Sequence, residues 1–232
     1  MIAANLRAVR QRIARAASLG GRSERDVTLV AVSKTHPPER VREAYEAGQL
    51  AFGENKVQEG EAKIAALESL RVAGLRWHLV GHLQSNKARK AVGLFDVIHS
   101  VDSLDLARKL AAAAAEAGKI QDVLVQADLA GEATKHGVGE DALLPALETL
   151  RGLASLRVLG LMILPPFEDD PEKTRPYFRR LRELRDRAAG EGVLAASELS
   201  MGMSHDFEVA IEEGATIVRV GTAIFGARKP PA

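Results

Sequence analysis

"VAVSKTHPPERVREAYEAGQLAFGEN", residues 30–55, decides the fold. A continuous apolar run ends at Lys34, a polar helical segment follows, and a second β-type run, QLAFG (49–53), comes next. Unbroken hydrophobicity over a strand length is expected where both faces of the strand are covered. The same alternation repeats to the end of the chain. Candidate strands are VTLVAVS (27–33), QLAFG (49–53), RWHLVG (76–81), FDVIHSV (95–101), DVLVQADL (122–129), LRVLGLMIL (156–164), ASELS (196–200) and ATIVRVG (215–221). Between them lie helical stretches such as DLARKLAAAAAEAG and TRPYFRRLRELRDRAAG.

Eight β-then-α units predict a (β/α)8 barrel of the α/β class. A doubly wound open sheet is the alternative, but no G-x-G-x-x-G follows the first strand. Ile2, Leu6, Val9 and Ile13 recur at helical spacing, so residues 1–20 read as an extra N-terminal helix packed on the barrel. No Pro/Ser/Gly-rich linker divides the chain, and residues 1–232 are expected to form a single domain. LPPFEDDPEKTRP (164–176) is the most loop-like stretch.

The charge balance of 32 Lys and Arg against 31 Asp and Glu gives a net charge of +1. That balance offers no case for nucleic acid or an anionic membrane as partner. Arg7, Arg10 and Arg12 break any signal-peptide core, and no stretch approaches the roughly 18 apolar residues of a spanning helix. A cytoplasmic protein is expected. Cysteine is absent, which excludes disulfides, thiolate catalysis and cysteine-ligated metals. The six histidines show no ligand-type spacing, so no metal site is expected.

Barrel chemistry sits at the C-terminal ends of the strands, which is where Lys34, Asn55, His82, SMGMS and Arg219–Thr222 fall. A lysine in an apolar barrel mouth loses hydration, and its neutral amine can form a Schiff base. A strand-end ammonium reaching to water is the alternative. Ser200, Gly202 and Ser204 precede one helix, and Gly221 and Thr222 another. Small residues and hydroxyls in the loops after strands seven and eight suit phosphate. Ordinary capped turns are the alternative. Strand alternation puts Arg219 on the same side as Gly221. Lysine, arginine and phosphate grip together suggest pyridoxal phosphate (PLP), with Arg219 on the pyridine nitrogen. GHLQSNKARK (81–90) reads as solvated surface, His78 as a residue lining the interior, and GEATKHGVG (131–139) as an ordinary loop.

The ordered set VAVSKTHP, FGENKVQE, WHLVGHLQSNKARK, IHSVDS, KHGV, GLMILPP and LSMGMSHDFEVAIEEGATIVRVGTAIFG resembles the pyridoxal phosphate homeostasis protein family. That family is similar to the N-terminal barrel of alanine racemase, and the resemblance runs from about Val27 to Gly226. It implies a PLP fold type III barrel without the β-domain, carrying PLP as a Schiff base on Lys34. It further implies phosphate contacts from the SMGMS and GT segments (Ser200, Met201, Gly202, Ser204, Gly221, Thr222), Arg219 near the ring nitrogen, and Asn55 near the ring. His205 falls where the family varies, and the motif positions show no departure.

The racemases of this fold type take a second base, a tyrosine, from the β-domain, and the related decarboxylases use a cysteine. Here the sequence ends at Ala232, its two tyrosines are Tyr45 and Tyr177, and cysteine is missing. The expectation is a non-catalytic PLP carrier in vitamin B6 and amino-acid homeostasis. A weakly active racemase-like enzyme is the rival, and a Schiff-base aldolase acting on a sugar phosphate is a further one. PLP-dependent apo-enzymes are the candidate partners, a monomer is the expected state, and Lys87, Lys90 and Lys135 are candidates for a second cofactor site.

Overall fold

The computed structural model describes residues 1–131 and 136–227. Its strands are β1 (Thr28–Val32), β2 (Ala51–Glu54), β3 (Arg76–Leu79), β4 (Val97–Val101), β5 (Gln121–Asp128), β6 (Val138–Gly139), β7 (Leu156–Ile163), β8 (Glu198–Met203) and β9 (Ile217–Val220). All pairings are parallel. β1 joins both β2 and β9, and β4 joins β5, so eight strands close into a ring. The two-residue β6 pairs only with β5 and lies outside the ring. The expected (β/α)8 barrel is therefore the fold.

Strand alternation divides the buried residues into two layers. Val30 and Val32 of β1, Val97, Leu124, Met162 and Ile217 form the small inner cluster with Val80. Leu29, Ala31, Phe52, Trp77, Leu79, Ile98, Leu161, Leu199 and Val218 face the helices in the large outer one. On β9 this places Ile217 and Arg219 inward, as the parity argument required.

The N-terminal helix Ile2–Leu19 buries Ile2, Leu6, Val9 and Ile13, the stripe its sequence shows. It packs against the helices Phe207–Glu212 and Thr222–Phe225, which follow β8 and β9. Asn5 Nδ2 donates to Ile224 O at 2.8 Å, Arg12 pairs with Glu208 at 2.6 Å, and the Arg12 guanidinium lies 4.5 Å above the Phe207 ring. No helix among the described residues is long and apolar enough to cross a membrane.

Several boundaries move for local reasons. Gln49, expected in a strand, instead spends its amide on Leu29 O at 2.6 Å and Ala51 O at 2.8 Å. Asp96 precedes β4 and accepts from Trp77 N at 2.7 Å. The strand expected over 196–200 runs over Glu198–Met203, so most of SMGMS lies within β8 rather than after it. Its register against β9 shifts between Ser200 and Met203, which lets the chain stay paired through a small-residue stretch. The 164–176 loop ends in a single turn, Pro171–Thr174, and the helix Arg175–Gly190 follows directly.

Candidate functional site

At the C-terminal mouth of the barrel, a cavity of about 580 Å³ is lined by Lys34, Asn55, His82, Ser204, Arg219, Gly221 and Thr222, with Val32, Val80 and Leu164 as apolar wall. Lys34 follows β1 by two residues. Parity with Val32 turns it inward, while Ser33 turns outward with Ala31. Asn55 directly follows β2, and Gly81 closes on it: a Cβ at Gly81 would stand 2.3 Å from Asn55 O. Glycine is therefore required where the ends of these two strands meet.

Behind Lys34, between β1, β2 and the helix Val57–Ala66, lies a buried ion cluster. The Lys63 ammonium donates to Ser33 O at 2.6 Å, Glu54 Oε1 at 2.7 Å and Glu59 Oε1 at 2.9 Å. Ser33 Oγ donates to Glu54 Oε1 at 2.6 Å, and Thr35 N donates to Glu59 Oε1. Glu54 Oε2 is buried with no protein partner. Desolvation pushes the Glu54 carboxyl above its ordinary range against the pull of Lys63.

Opposite, Arg219 is 3% exposed and donates to Ser200 Oγ at 2.6 Å and to Ile163 O at 2.8 Å. Burial lowers its pKa to about 10, which leaves it cationic at neutral pH. Ser200 Oγ lies 2.8 Å from His99 Nδ1, and His99 Nε2 lies 2.8 Å from His78 Nδ1. Arginine can only donate, so Ser200 Oγ accepts from it, and His99 Nδ1 is the remaining partner for the hydroxyl proton. His99 in turn donates from Nε2 to His78. Burial favours the neutral form of both rings: His78 is held at about 4, and His99 also falls well below the ordinary range.

The corner formed by the ends of β8 and β9 has a different character. The N–H groups of Gly221 and Ala223 converge on one oxygen, Ser204 Oγ, at 3.1 and 3.4 Å. Asp206, 5% exposed, accepts from Met203 N at 2.7 Å and fixes the turn. Desolvation raises its carboxyl.

The structure thus brings Lys34, Asn55, Ser204, Arg219, Gly221 and Thr222 to one cavity. Three expected site residues lie deeper or elsewhere. Ser200 is inside the barrel, bonded to Arg219, and the Met201 side chain packs in the outer core. Gly202 has φ +90°, and a Cβ there would stand 2.7 Å from Ala210 Cβ, so this glycine serves the close approach of the following helix. His78 does line the interior. His99 was missed, although its parity with the inward Val97 marks it as inward. Lys87 is half-buried and lines a neighbouring cavity with Asn55, Gly81 and His82, whereas Lys90 is exposed and pairs with Glu61 at 3.0 Å. Lys135 falls outside the described residues.

His82, Asp102 and His136 also converge, with ligand atoms within 4.8 Å of one another. His82 Nδ1 is 3.0 Å from Asp102 Oδ2, and the two imidazoles stack at 3.6 Å with planes 10° apart. A metal lies in the plane of each ring that binds it, and two stacked planes share no such point. The arrangement is that of a hydrogen-bonded, stacked pair.

The alanine racemase N-terminal domain family matches residues 3–229. A protein of Aquifex aeolicus named pyridoxal phosphate homeostasis protein is 48% identical over 221 residues, covering 95% of this chain and 96% of that one. One of the same name from Escherichia coli K12 is 41% identical over 232 residues, covering 98% and 97%. PipY of Synechococcus elongatus, solved with PLP bound, superposes with a TM-score of 0.87 at 41% identity, covering 97% of this chain and all of the other. Matched along almost its whole length in both sequence and fold, the chain belongs to the pyridoxal phosphate homeostasis protein family, within the alanine racemase N-terminal domain family.

Proposed function

We propose that the protein binds PLP by reversible covalent attachment to Lys34 and serves cellular PLP and amino-acid homeostasis as a carrier rather than as a catalyst. One observation carries this reading: an inward lysine, a buried arginine and the Ser204, Gly221 and Thr222 corner line the same cavity of about 580 Å³. That volume lies within the range of about 300–1,000 Å³ found for cofactor pockets. The residues fit the group. Lys34 supplies the amine, Arg219 a donor for a ring nitrogen, and Ser204, Gly221 and Thr222 the donors for a phosphate. Val32, Val80 and Leu164 supply apolar walls. The names of the relatives and the PLP-bound PipY support PLP as the ligand.

When bound, PLP supplies an aldehyde carbon for amines and a ring that withdraws electrons. Arg219 governs the second property. It is cationic and can only donate, so it favours the unprotonated ring nitrogen and a weak electron sink. Lys34 holds the cofactor in a form that another amine can displace, which suits storage and delivery to apo-enzymes.

The test is a visible absorption titration with PLP on wild type and Lys34→Ala, followed by borohydride reduction and peptide mapping. A band near the usual range for lysine-bound PLP, fixed on the Lys34 peptide and lost in the variant, is the expected result. A wild type that stays colourless and is not labelled at Lys34 overturns the reading.

A further inference from the structure

Both peptide groups that flank Lys34 end in the same buried ion cluster. On one side Ser33 O accepts from Lys63; on the other Thr35 N donates to Glu59. These two contacts fix the peptide planes before and after the Lys34 Cα, and so the direction in which its side chain leaves the backbone. Ser33 Oγ adds a third tie, to Glu54 at 2.6 Å.

Two further features show that the cluster does more than fill space. Thr35 has φ +67°, the one positive φ at a non-glycine residue among the described residues. A β-branched side chain resists that conformation, which persists only where its surroundings enforce it. Thr35 is the third residue of a turn closed by His36 N donating to Ser33 O at 3.0 Å, and the bond from Thr35 N to Glu59 holds that turn against the helix Val57–Ala66. Second, Glu59 and Lys63 stand four apart on a helix, a spacing that ordinarily gives a solvated surface pair. Here the Lys63 side chain is 6% exposed and Glu54 is fully buried. Buried ion pairs often stabilise less than apolar side chains of the same volume. A packing role alone would be met by hydrocarbon, whereas three directed bonds to the backbone and hydroxyl around one residue need charged, polar groups.

We propose that Lys63, Glu54 and Glu59 form a positioning bracket for Lys34, holding the Ser33–Thr35 elbow in its left-handed turn so that the Lys34 amine faces the cavity. The bracket rests on the assignment of Lys34 as the PLP anchor. It acts through the backbone, and its members are positioning residues that need not touch the cofactor.

The test uses the full chain as wild type, Glu59→Ala, Thr35→Gly and the double variant. Glu59 is the point of attack because its side chain is 27% exposed and its removal leaves the Lys63–Glu54 pair intact. PLP affinity is read by absorbance titration, the fraction fixed on the Lys34 peptide by borohydride mapping, and the Thr35 amide by hydrogen exchange. Thermal unfolding checks that each variant is folded. Glu59→Ala is expected to speed Thr35 exchange and weaken PLP about tenfold. Thr35→Gly alone should stay within about threefold of wild type, because glycine adopts positive φ without strain. The double variant should recover to within about threefold of wild type, a coupling that a general loss of stability would not produce. Glu59→Ala binding PLP as wild type does, despite faster Thr35 exchange, overturns the bracket. So does a double variant that is no better than Glu59→Ala. Wild type that fails to attach PLP at Lys34 overturns the proposed function itself, whereas a loss confined to the variants leaves it standing.

Discussion

Behind Lys34 the barrel wall holds a buried carboxylate, a half-buried one and a buried ammonium; beneath Arg219 the interior buries two imidazoles and a hydroxyl. Both sets are polar, and both lie within reach of the same cavity. They differ in how burial is tolerated. The first set pairs an ammonium with carboxylates, Lys63 placing its three protons on three acceptors, while Glu54 Oε2 is left without a protein partner. The second confines charge to Arg219 and passes hydrogen bonds onward through groups that burial keeps neutral. The charged set grips backbone and controls position. The neutral set grips one guanidinium and controls how it presents its donors. A site that must hold an amine at a fixed angle and a cation at a fixed depth uses one device for each.

The comparison is broken most forcefully at Lys63. Lys63→Met leaves Glu54 buried without its counter-ion and is expected to cost about 3–5 kcal/mol, measured as a fall in urea midpoint. Replacing Lys63 and Glu54 together by Met and Leu should cost far less, since no charge is then stranded. A single variant as stable as the pair would show that the cluster is solvated in practice.

Acid tests the neutral set. His78 has a folded pKa of about 4, depressed below the ordinary 6.5. The unfolded chain therefore binds a proton that the native state refuses, and stability falls as pH drops from about 6.5 towards 4. For His78 alone the loss between pH 7 and pH 5 is about 2 kcal/mol. His99 acts in the same direction, while Glu54, held up by burial, works in the opposite one. Urea unfolding of wild type and His78→Gln at both pH values isolates the effect, and the variant should be less acid-sensitive by about 2 kcal/mol while the share carried by His99 remains.

A smaller effect is expected at Ser200, the link between imidazole and guanidinium. Ser200→Ala removes the acceptor of one Arg219 bond and the partner of His99 Nδ1, at a cost of about 1–2 kcal/mol. The absorbance of bound PLP should shift while covalent capture at Lys34 persists. Last comes an effect expected to be nil. With PLP and L-alanine in heavy water, the protein should exchange the Cα proton no faster than free PLP does, by proton NMR. Exchange well above that rate would favour the racemase-like rival.

Much of this was legible in the sequence. Unbroken apolar runs separated by amphipathic segments give the barrel, and the inward parity of Arg219 follows from counting along IVRVG. Lys34 is an ordinary strand-end lysine by position, and it stands out only because Arg219 and the small-residue segments fall at the same strand ends. The bracket was invisible for a physical reason: Glu59 and Lys63 match an exposed helix pair, and the burial of Lys63 depends on Ser33, 30 residues away. His99 was readable in principle, but its partner Ser200 is 101 residues distant. SMGMS misled because glycine and serine suggest a turn, whereas a shifted register keeps them in the strand.

The packing of the first helix on the last two has a consequence for how the molecule comes into being. Asn5 bonds to Ile224 across 219 positions, and the buried face of Ile2–Leu19 waits for partners made from residues 207–225. During synthesis at roughly 5–20 residues per second, the part of that face not covered by the helix Pro38–Glu46 stays unmatched for on the order of ten seconds or more. The turns that present Ser204 and Gly221 belong to the segment that clasps it. A nascent chain therefore has no finished cavity until residues 207–225 dock against the first helix.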